Sequence, residues 1–169
     1  SHYGPIMSFG DDESMLAIKD APSLTINKPD FWLKLALSNN VEQAVKLIEQ
    51  GYRTGSQNII MADSTGDTFY ADLAQVPQLS EQAWQIIAQV PELNHYNGLL
   101  LDGSSSLFEW LDVAPYDEIP KRRSNSYVQN ANEAPWLVNI EQPIDDYSLL
   151  YGPVEYAQSP RTQLVLVML

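Results

Sequence analysis

Residues 57–72, QNIIMADSTGDTFYAD, carry the clearest fold signal in this chain. Ile59–Asp63 and Thr68–Asp72 are short runs rich in aliphatic, aromatic and β-branched residues, a composition typical of strands. Ser64–Asp67 separates the two runs with four polar or small residues that include a glycine, and a loop of this length commonly joins antiparallel neighbours. The stretch therefore predicts a β-hairpin.

Helices are predicted on both sides of the hairpin. Upstream, apolar residues recur at helical spacing between Asn40, which can cap a helix, and Gly51, which can end one. An earlier helix is expected within residues 27–38, and a later one within residues 80–90. Short hairpin-linked strands combined with a few helices predict the α+β class.

The chain is expected to form a single domain over residues 1–169, because 44% hydrophobic residues are enough to bury a core at this length. Loops predominate between residues 91 and 123, where Leu99–Leu101 is the one strong core segment expected. The C-terminal segment Gln163–Leu169 is apolar and no polar cap follows it. This suggests that the chain is a piece of a larger protein.

Charge and composition exclude several classes of function. The chain has 9 Lys and Arg residues and 22 Asp and Glu residues, which gives a net charge of −13. Such a surface repels phosphate backbones and anionic lipids, so we expect no nucleic-acid partner. Apolar runs are too short for membrane insertion, and the absence of cysteine removes disulfides and thiolate chemistry.

The sequence offers little sign of a metal site or of a conventional serine triad. Its two histidines, His2 and His95, have no acidic or histidine neighbours at ligand spacing, so we predict no metal ligands. A Gly-x-Ser-x-Gly elbow is absent. Ser1 could use its own α-amine as a general base, but the simpler interpretation is that residue 1 is only where the sequence starts.

Two asparagines form the most interesting polar pattern. If the segment is extended, Asn130 and Asn132 lie two residues apart on the same face. An asparagine N–H can donate to a developing oxyanion without changing its charge. The alternative is turn chemistry before Pro135, in which asparagine bonds its own backbone, and the residues alone favour that alternative.

Basic side chains suggest two further possibilities. Lys121–Arg123 is expected to be a solvated face or to pair with Asp117 and Glu118, with an anion-binding role as the less favoured option. Arg161 could be a buried ion-pair partner or a guanidinium that holds an active-site group in place.

Four stretches, in order along the chain, resemble the penicillin acylase family of N-terminal-nucleophile hydrolases, and above all its acyl-homoserine-lactone and aculeacin acylase branch. The stretches hold HYGPI at residues 2–6, ADSTGDTFYAD at 62–72, LDGSSS with EW at 101–110, and YVQNAN, WLVN and SPRT between 127 and 162. Because the motifs keep the family's order, the resemblance covers nearly the whole chain.

The resemblance implies an αββα sandwich of antiparallel strands and helices, of which this chain is an incomplete part from the catalytic (β) subunit. Family members are precursors that cleave themselves, and the serine freed at the start of the β-subunit attacks an amide carbonyl. By position in the motif, Asn132 corresponds to the asparagine that holds the oxyanion, and Arg161 to an arginine that supports the active-site network. The parent is therefore expected to hydrolyse the linear C–N bond of a small N-acyl substrate, such as an N-acyl-homoserine lactone or a penicillin.

The same resemblance places the nucleophilic serine outside this chain. The family's HYGP strand lies well downstream of its nucleophile, and Ser1 is followed by His2 rather than by the usual asparagine. The 169 residues alone are thus expected to be inactive, and to work with the remainder of the β-subunit and the α-subunit of the same precursor. Glu133 stands where the branch often has aspartate, and Ser105 where it often has arginine.

The remaining expectations concern where the protein is located, whether it has a cofactor, and which other function its sequence would fit. Exported relatives imply a periplasmic or secreted protein. No cofactor is expected; some relatives bind calcium, to which Asp145 or Asp146 could contribute, but the sequence assigns no site. The alternative function is a non-catalytic acidic extracytoplasmic binding module with a groove of tryptophan and tyrosine side chains, which accounts for the charge but not for the order of the motifs.

Overall fold

The computed structural model describes residues 2–9, 14–21, 28–90, 94–95 and 98–169. The α-helices and β-strands in these ranges are β1 (Ile6–Phe9), β2 (Met15–Ala17), α1 (Lys28–Ala36), α2 (Val41–Glu49), β3 (Asn58–Ala62), β4 (Thr68–Asp72), β5 (Pro77–Gln78), α3 (Glu81–Gln89), β6 (Asn94–His95), β7 (Gly98–Leu99), β8 (Asp112–Val113), β9 (Lys121–Ser124) and α4 (Pro160–Met168). The strands pair antiparallel as β1–β2, β3–β4–β9, β5–β8 and β6–β7. This mixture of helices and small antiparallel sheets confirms the α+β prediction.

The predicted hairpin is confirmed and forms the centre of the largest described sheet. Strands β3 and β4 pair from Asn58 opposite Asp72 to Ala62 opposite Thr68, and β9 adds to the other edge of β4. The turn includes Asp63, whose N–H donates to the Asp67 carbonyl oxygen at 3.1 Å, so the loop is one residue longer than predicted. Asp63 therefore belongs to the turn rather than to the first strand.

Helix α2 follows its sequence prediction closely. The Asn40 side chain accepts a hydrogen bond from the Gln43 N–H at 2.9 Å and caps the first turn. Gly51, with φ +88°, follows the helix in a left-handed conformation that glycine adopts without a steric penalty. The buried face of α2 packs with side chains of the central sheet in the main hydrophobic core, which holds Phe31, Val41, Val45, Ile48, Ile59, Phe69, Ala71, Leu73, Val76, Ile119 and Tyr151.

Asp63 joins the hairpin turn to the start of α2. Its carboxylate accepts hydrogen bonds from the Thr65 hydroxyl at 2.5 Å, the Thr65 N–H at 2.9 Å and the Val41 N–H at 3.1 Å. These bonds, the one from the Thr65 hydroxyl first, lower the pKa of Asp63 from 3.8 to about 2, because they stabilise the charged form. The hairpin and α2 are thereby fixed to each other outside the core.

Helix α3 is confirmed, while the Leu99–Leu101 prediction holds only in part. Ser80 caps α3 by accepting from the Ala83 N–H at 3.1 Å, and Ala83 and Ile87 are buried in a second core with Leu79. Leu99 and Leu101 pack against that core. Leu100 is 50% exposed, so the segment is not buried throughout.

Helix α4 was not predicted from the sequence. Ser159 caps it by accepting from the Thr162 N–H at 3.2 Å, and Pro160 occupies its first turn. Its apolar residues do not form a single buried stripe, and Val167 and Met168 are 84% and 76% exposed. Among the described residues, no helix has the length and hydropathy needed to cross a membrane.

Candidate active site

A cleft of about 1390 Å³ lies between the second core, the end of the central hairpin and the start of α4. Asn58 and Asp72, which face each other across β3 and β4, line it, and burial raises the pKa of the Asp72 carboxyl. The wall formed by residues 131–134 and the first turn of α4 also contains Asn132 and Arg161. The structure therefore brings both predicted site residues to one cleft.

The asparagine segment is a turn, which is the alternative that the residues alone favour, and it is not extended. Asn132 has φ +69°, in the left-handed region that asparagine visits more readily than most other residues with a Cβ. The Asn130 side-chain oxygen accepts a hydrogen bond from the Asn132 N–H at 2.9 Å, which closes a turn over three residues. Turn chemistry, the alternative noted above, thus describes Asn130, which does not share an extended face with Asn132.

Three further backbone groups of this turn are also hydrogen-bonded. The Asn130 side-chain amide donates to the Glu133 carbonyl oxygen at 3.0 Å, and the Ala131 N–H donates to Glu133 Oε2 at 3.0 Å. The guanidinium of Arg161 donates to the Ala131 carbonyl oxygen. The peptide group between Ala131 and Asn132 is consequently held at its carbonyl by Arg161 and at its N–H by Asn130.

The Asn132 side chain is the polar group that this network does not use. It is exposed, it lines the cleft, and it makes no hydrogen bond with any of the residues that the structure describes. A fixed backbone with a free amide is the arrangement in which a side-chain N–H can be offered to a bound molecule without first giving up an internal partner.

Arg161 does not form the buried ion pair that the sequence left open. Its side chain is exposed, and within the described ranges it makes no salt bridge. Instead it contacts the backbone of the Asn132 turn from the start of α4. Of the two alternatives, the geometry therefore favours a guanidinium that holds the turn in place.

The family model described as penicillin amidase matches residues 1–169, the whole chain. The chain belongs to the penicillin amidase family. It is 22% identical over 163 residues to the acyl-homoserine lactone acylase PvdQ of Pseudomonas putida, covering 89% of this chain and 21% of that protein. It is 28% identical over 148 residues to the aculeacin-A acylase of Actinoplanes utahensis, covering 81% of this chain and 19% of that one.

The solved structure of a thermostable penicillin G acylase from Alcaligenes faecalis has the same fold over much of this chain. The likeness has a TM-score of 0.54 at 22% identity, and it covers 73% of this chain and 20% of that one. It confirms that the chain adopts part of the fold of the N-terminal-nucleophile acylases. The chain spans about a fifth of the length of the curated relatives it matches.

Two of the penicillin amidase motifs meet at the rim of the cleft, in a contact that sequence reasoning missed. From the first motif, the Tyr3 hydroxyl donates to Glu109 Oε1 at 2.5 Å and His2 Nε2 lies 2.8 Å from the same atom. Both contacts, with that of Tyr3 first, lower the pKa of Glu109. Lys19 Nζ lies 4.6 Å from the centre of the Trp110 ring and 3.6 Å from Glu109 Oε2. This part of the family pattern therefore joins the N-terminal hairpin to the Leu101–Trp110 segment.

Among the described residues, the basic run makes no side-chain ion pair with Asp117 or Glu118, and Lys121 contacts Asp117 only at its backbone carbonyl oxygen, at 3.0 Å. Arg123 bonds to Asp67 and Glu42, the latter at 2.8 Å, and so ties β9 to the hairpin turn and to α2. The ammonium of Lys121 donates to backbone carbonyl oxygens, among them that of Tyr116 at 2.8 Å. The acidic partners were missed because the pairing of β9 with β4, over a separation of 56 residues, brings Asp67 alongside Arg123.

Metal and nucleophile predictions lie largely beyond what the structure describes. Among the described residues, no group of three or more His, Cys, Asp or Glu side chains could hold a metal ion. Asp145 and Asp146 are both exposed, and their contribution to a calcium site stays a possibility raised only by the family. Ser1 lies outside the described residues, as do Gly10–Glu13.

Proposed function

We propose that this chain is a segment of the catalytic subunit of an amidohydrolase that cleaves an acyl amide, and that Asn132 donates a hydrogen bond to the oxyanion of that reaction. The observation that carries the proposal is the Asn132 turn, whose backbone is fixed by Arg161 and Asn130 while the Asn132 amide is free at the cleft. Membership of the penicillin amidase family supports the class of reaction.

The proposed reaction begins with a serine supplied by the remainder of the β-subunit. Its Oγ forms a bond to the acyl carbon, its proton passes to its own α-amine, and the carbonyl π electrons move to the oxygen. The oxyanion collapses as the C–N bond breaks and the leaving nitrogen takes up the proton. Water then loses a proton to the α-amine as its oxygen bonds to the acyl carbon, which forms a second oxyanion. As that oxyanion collapses, the bond between the acyl carbon and Oγ breaks, Oγ takes the proton back, and the carboxylic acid leaves. Asn132 would donate to both oxyanions.

A neutral amide donor suits this chemistry in an acidic protein. It stabilises negative charge at one atom without adding a titrating group to the cleft, and a single donor of this kind contributes about 3–4 kcal/mol to the transition state. Arg161 is assigned a supporting role, because it contacts the backbone of the turn rather than the Asn132 side chain.

The substrate, partners and location follow the family rather than the geometry. The names of the relatives favour an N-acyl-homoserine lactone or a related N-acyl amide as substrate. The proposed partners are the remainder of the β-subunit and the α-subunit, cut from one precursor in the periplasm or outside the cell. A calcium ion bound elsewhere in the parent enzyme would be compatible with these roles.

The function is tested with the product of the full open reading frame. The expected result is a precursor that cuts itself ahead of a serine and then hydrolyses N-acyl-homoserine lactones or a chromogenic N-acyl anilide. Replacement of that serine by alanine is expected to leave the precursor uncut and inactive. A protein that is never cut and hydrolyses none of these amides would favour the acidic binding module instead.

A further inference from the structure

The Glu133 carboxylate connects three parts of the molecule next to Asn132. Its Oε2 accepts from the Ala131 N–H at 3.0 Å and from the Thr162 hydroxyl at 3.0 Å. Its Oε1 accepts from the Gln129 side-chain amide at 3.1 Å. One carboxylate therefore joins the Asn132 turn to the segment before it and to the first turn of α4.

The contacts from α4 converge on both polar groups of Ala131. Arg161 donates directly to the Ala131 carbonyl oxygen, while Thr162 reaches the Ala131 N–H through the Glu133 carboxylate. The two donors are consecutive residues of the same helical turn. The residue before Asn132 is consequently positioned from both sides by one rigid element.

A carboxylate suits this position better than an amide. Its three partners are all donors, and a carboxylate accepts at both oxygens, whereas a glutamine would turn an NH₂ group towards one of them. Two of the partners are buried, because Gln129 is 5% exposed and Thr162 is 1% exposed. Water is poorly placed to replace a bond lost there, so the loss carries its full cost.

We propose that Glu133 is a positioning residue, which holds the Asn132 amide in place for the oxyanion through Ala131 and Thr162; this rests on the function proposed above. Glu133 makes no hydrogen bond with the Asn132 side chain, so its effect passes through the backbone. An interaction that matters only when the oxyanion forms should alter kcat and leave KM nearly unchanged.

The test uses the full-length processed enzyme with an N-acyl anilide as substrate. Glu133→Gln and Thr162→Val are each expected to lower kcat by about ten- to a hundredfold, the effect of losing a hydrogen bond to a charged group, with KM within about twofold. Thr162→Ser, which keeps the hydroxyl, is expected to recover most of the activity that Thr162→Val loses. Glu141→Gln removes an equal charge at an exposed residue and serves as the control with wild-type kinetics.

The same variants are then combined with Asn132→Ala. If Glu133 acts through Asn132, neither Glu133→Gln nor Thr162→Val lowers kcat further once the Asn132 amide is gone. Equal losses in both backgrounds would overturn the inference, as would wild-type kcat in both variants while Asn132→Ala is impaired. A wild-type rate for Asn132→Ala would instead remove the proposed function itself. Self-cleavage and the melting temperature of each variant identify any that misfold; Thr162→Val keeps the shape of the side chain without its hydroxyl, and Thr162→Ser keeps the hydroxyl without the methyl group.

Discussion

The guanidinium of Arg161 donates a hydrogen bond to the carbonyl oxygen of Ala131, across 30 residues of sequence. This contact fixes the peptide group that precedes Asn132, whose N–H is held in turn by the Asn130 side chain at 2.9 Å. The left-handed conformation of Asn132 is thus maintained by bonds to its neighbours, and its own amide is left for the cleft.

Loss of the Arg161 contact should impair the reaction and spare substrate binding. In the full-length enzyme, Arg161→Ala is expected to lower kcat by about ten- to a hundredfold, because one charged hydrogen bond to the turn is removed. Arg161→Lys should retain part of the activity, since an ammonium can still donate once. Steady-state kinetics measure both. Arg122→Ala is the matched control, because Arg122 also donates to a backbone carbonyl, that of Pro143 at 2.9 Å; equal losses in the two alanine variants would contradict the assignment.

Gly152 is expected to tolerate a side chain less well than Gly66. Both have positive φ, +122° and +87°, but a Cβ at Gly152 would lie 2.6 Å from the Ala134 Cβ, whereas nothing lies within 4 Å at Gly66. Gly66→Ala should therefore cost only about 1–2 kcal/mol of backbone strain. Gly152→Ala should cost about 1–3 kcal/mol more from the clash. Thermal unfolding compares the two variants, and equal melting temperatures would show that Ala134 moves aside without a cost in stability.

The hairpin turn should make stability depend on pH through Asp63. Its pKa falls from 3.8 to about 2 on folding, so the charged carboxylate stabilises the folded state above pH 3.8. That contribution is lost as the pH falls through about 2. Asp63→Asn should therefore melt below the wild type at neutral pH, with the gap closing between pH 3.8 and about 2. Asp117→Asn, at an exposed carboxylate, is the control. If the difference in melting temperature between Asp63→Asn and the wild type does not change with pH, the charge effect is refuted.

The 169-residue segment alone is expected to hydrolyse no N-acyl amide, because the proposed function gives it the oxyanion donor and assigns the attacking serine to the remainder of the β-subunit. Incubation of the purified segment with an N-acyl anilide and an N-acyl-homoserine lactone tests this directly. Turnover that disappears in Ser1→Ala would mean that the nucleophile has been misplaced.

The sequence predicted the elements that have clear local signals, such as capping residues at the ends of a helix or a glycine-containing turn between two strands. Helix α2 has Asn40 before it and Gly51 after it, and the hairpin consists of two strand-like runs on either side of a glycine-containing turn, so each was predicted with nearly correct bounds. Helix α4 has exposed apolar residues on several sides, and only its Ser159–Pro160 start could have revealed it.

The two residues predicted from the sequence, Asn132 and Arg161, line one cleft, and their catalytic roles stay predictions; the geometry around them was not predicted. The residues alone favour a turn for the Asn-x-Asn pattern, but its exact geometry depends on Arg161 and Glu133, which bond the backbone of the turn. The role of Glu133 requires Thr162, which lies 29 residues away, to be brought beside it by α4. Such contacts between distant residues leave no periodicity in a single sequence.

The most direct test of the central claim is the rate of the full-length enzyme when Asn132 loses its amide. Asn132→Ala should lower kcat by about 10²–10³-fold with self-cleavage and melting temperature little changed, as expected for one lost oxyanion donor. Asn132→Gly, which accepts the positive φ without strain, should show the same loss and so separate the missing donor from any change in the backbone. A wild-type rate in both variants would contradict the account.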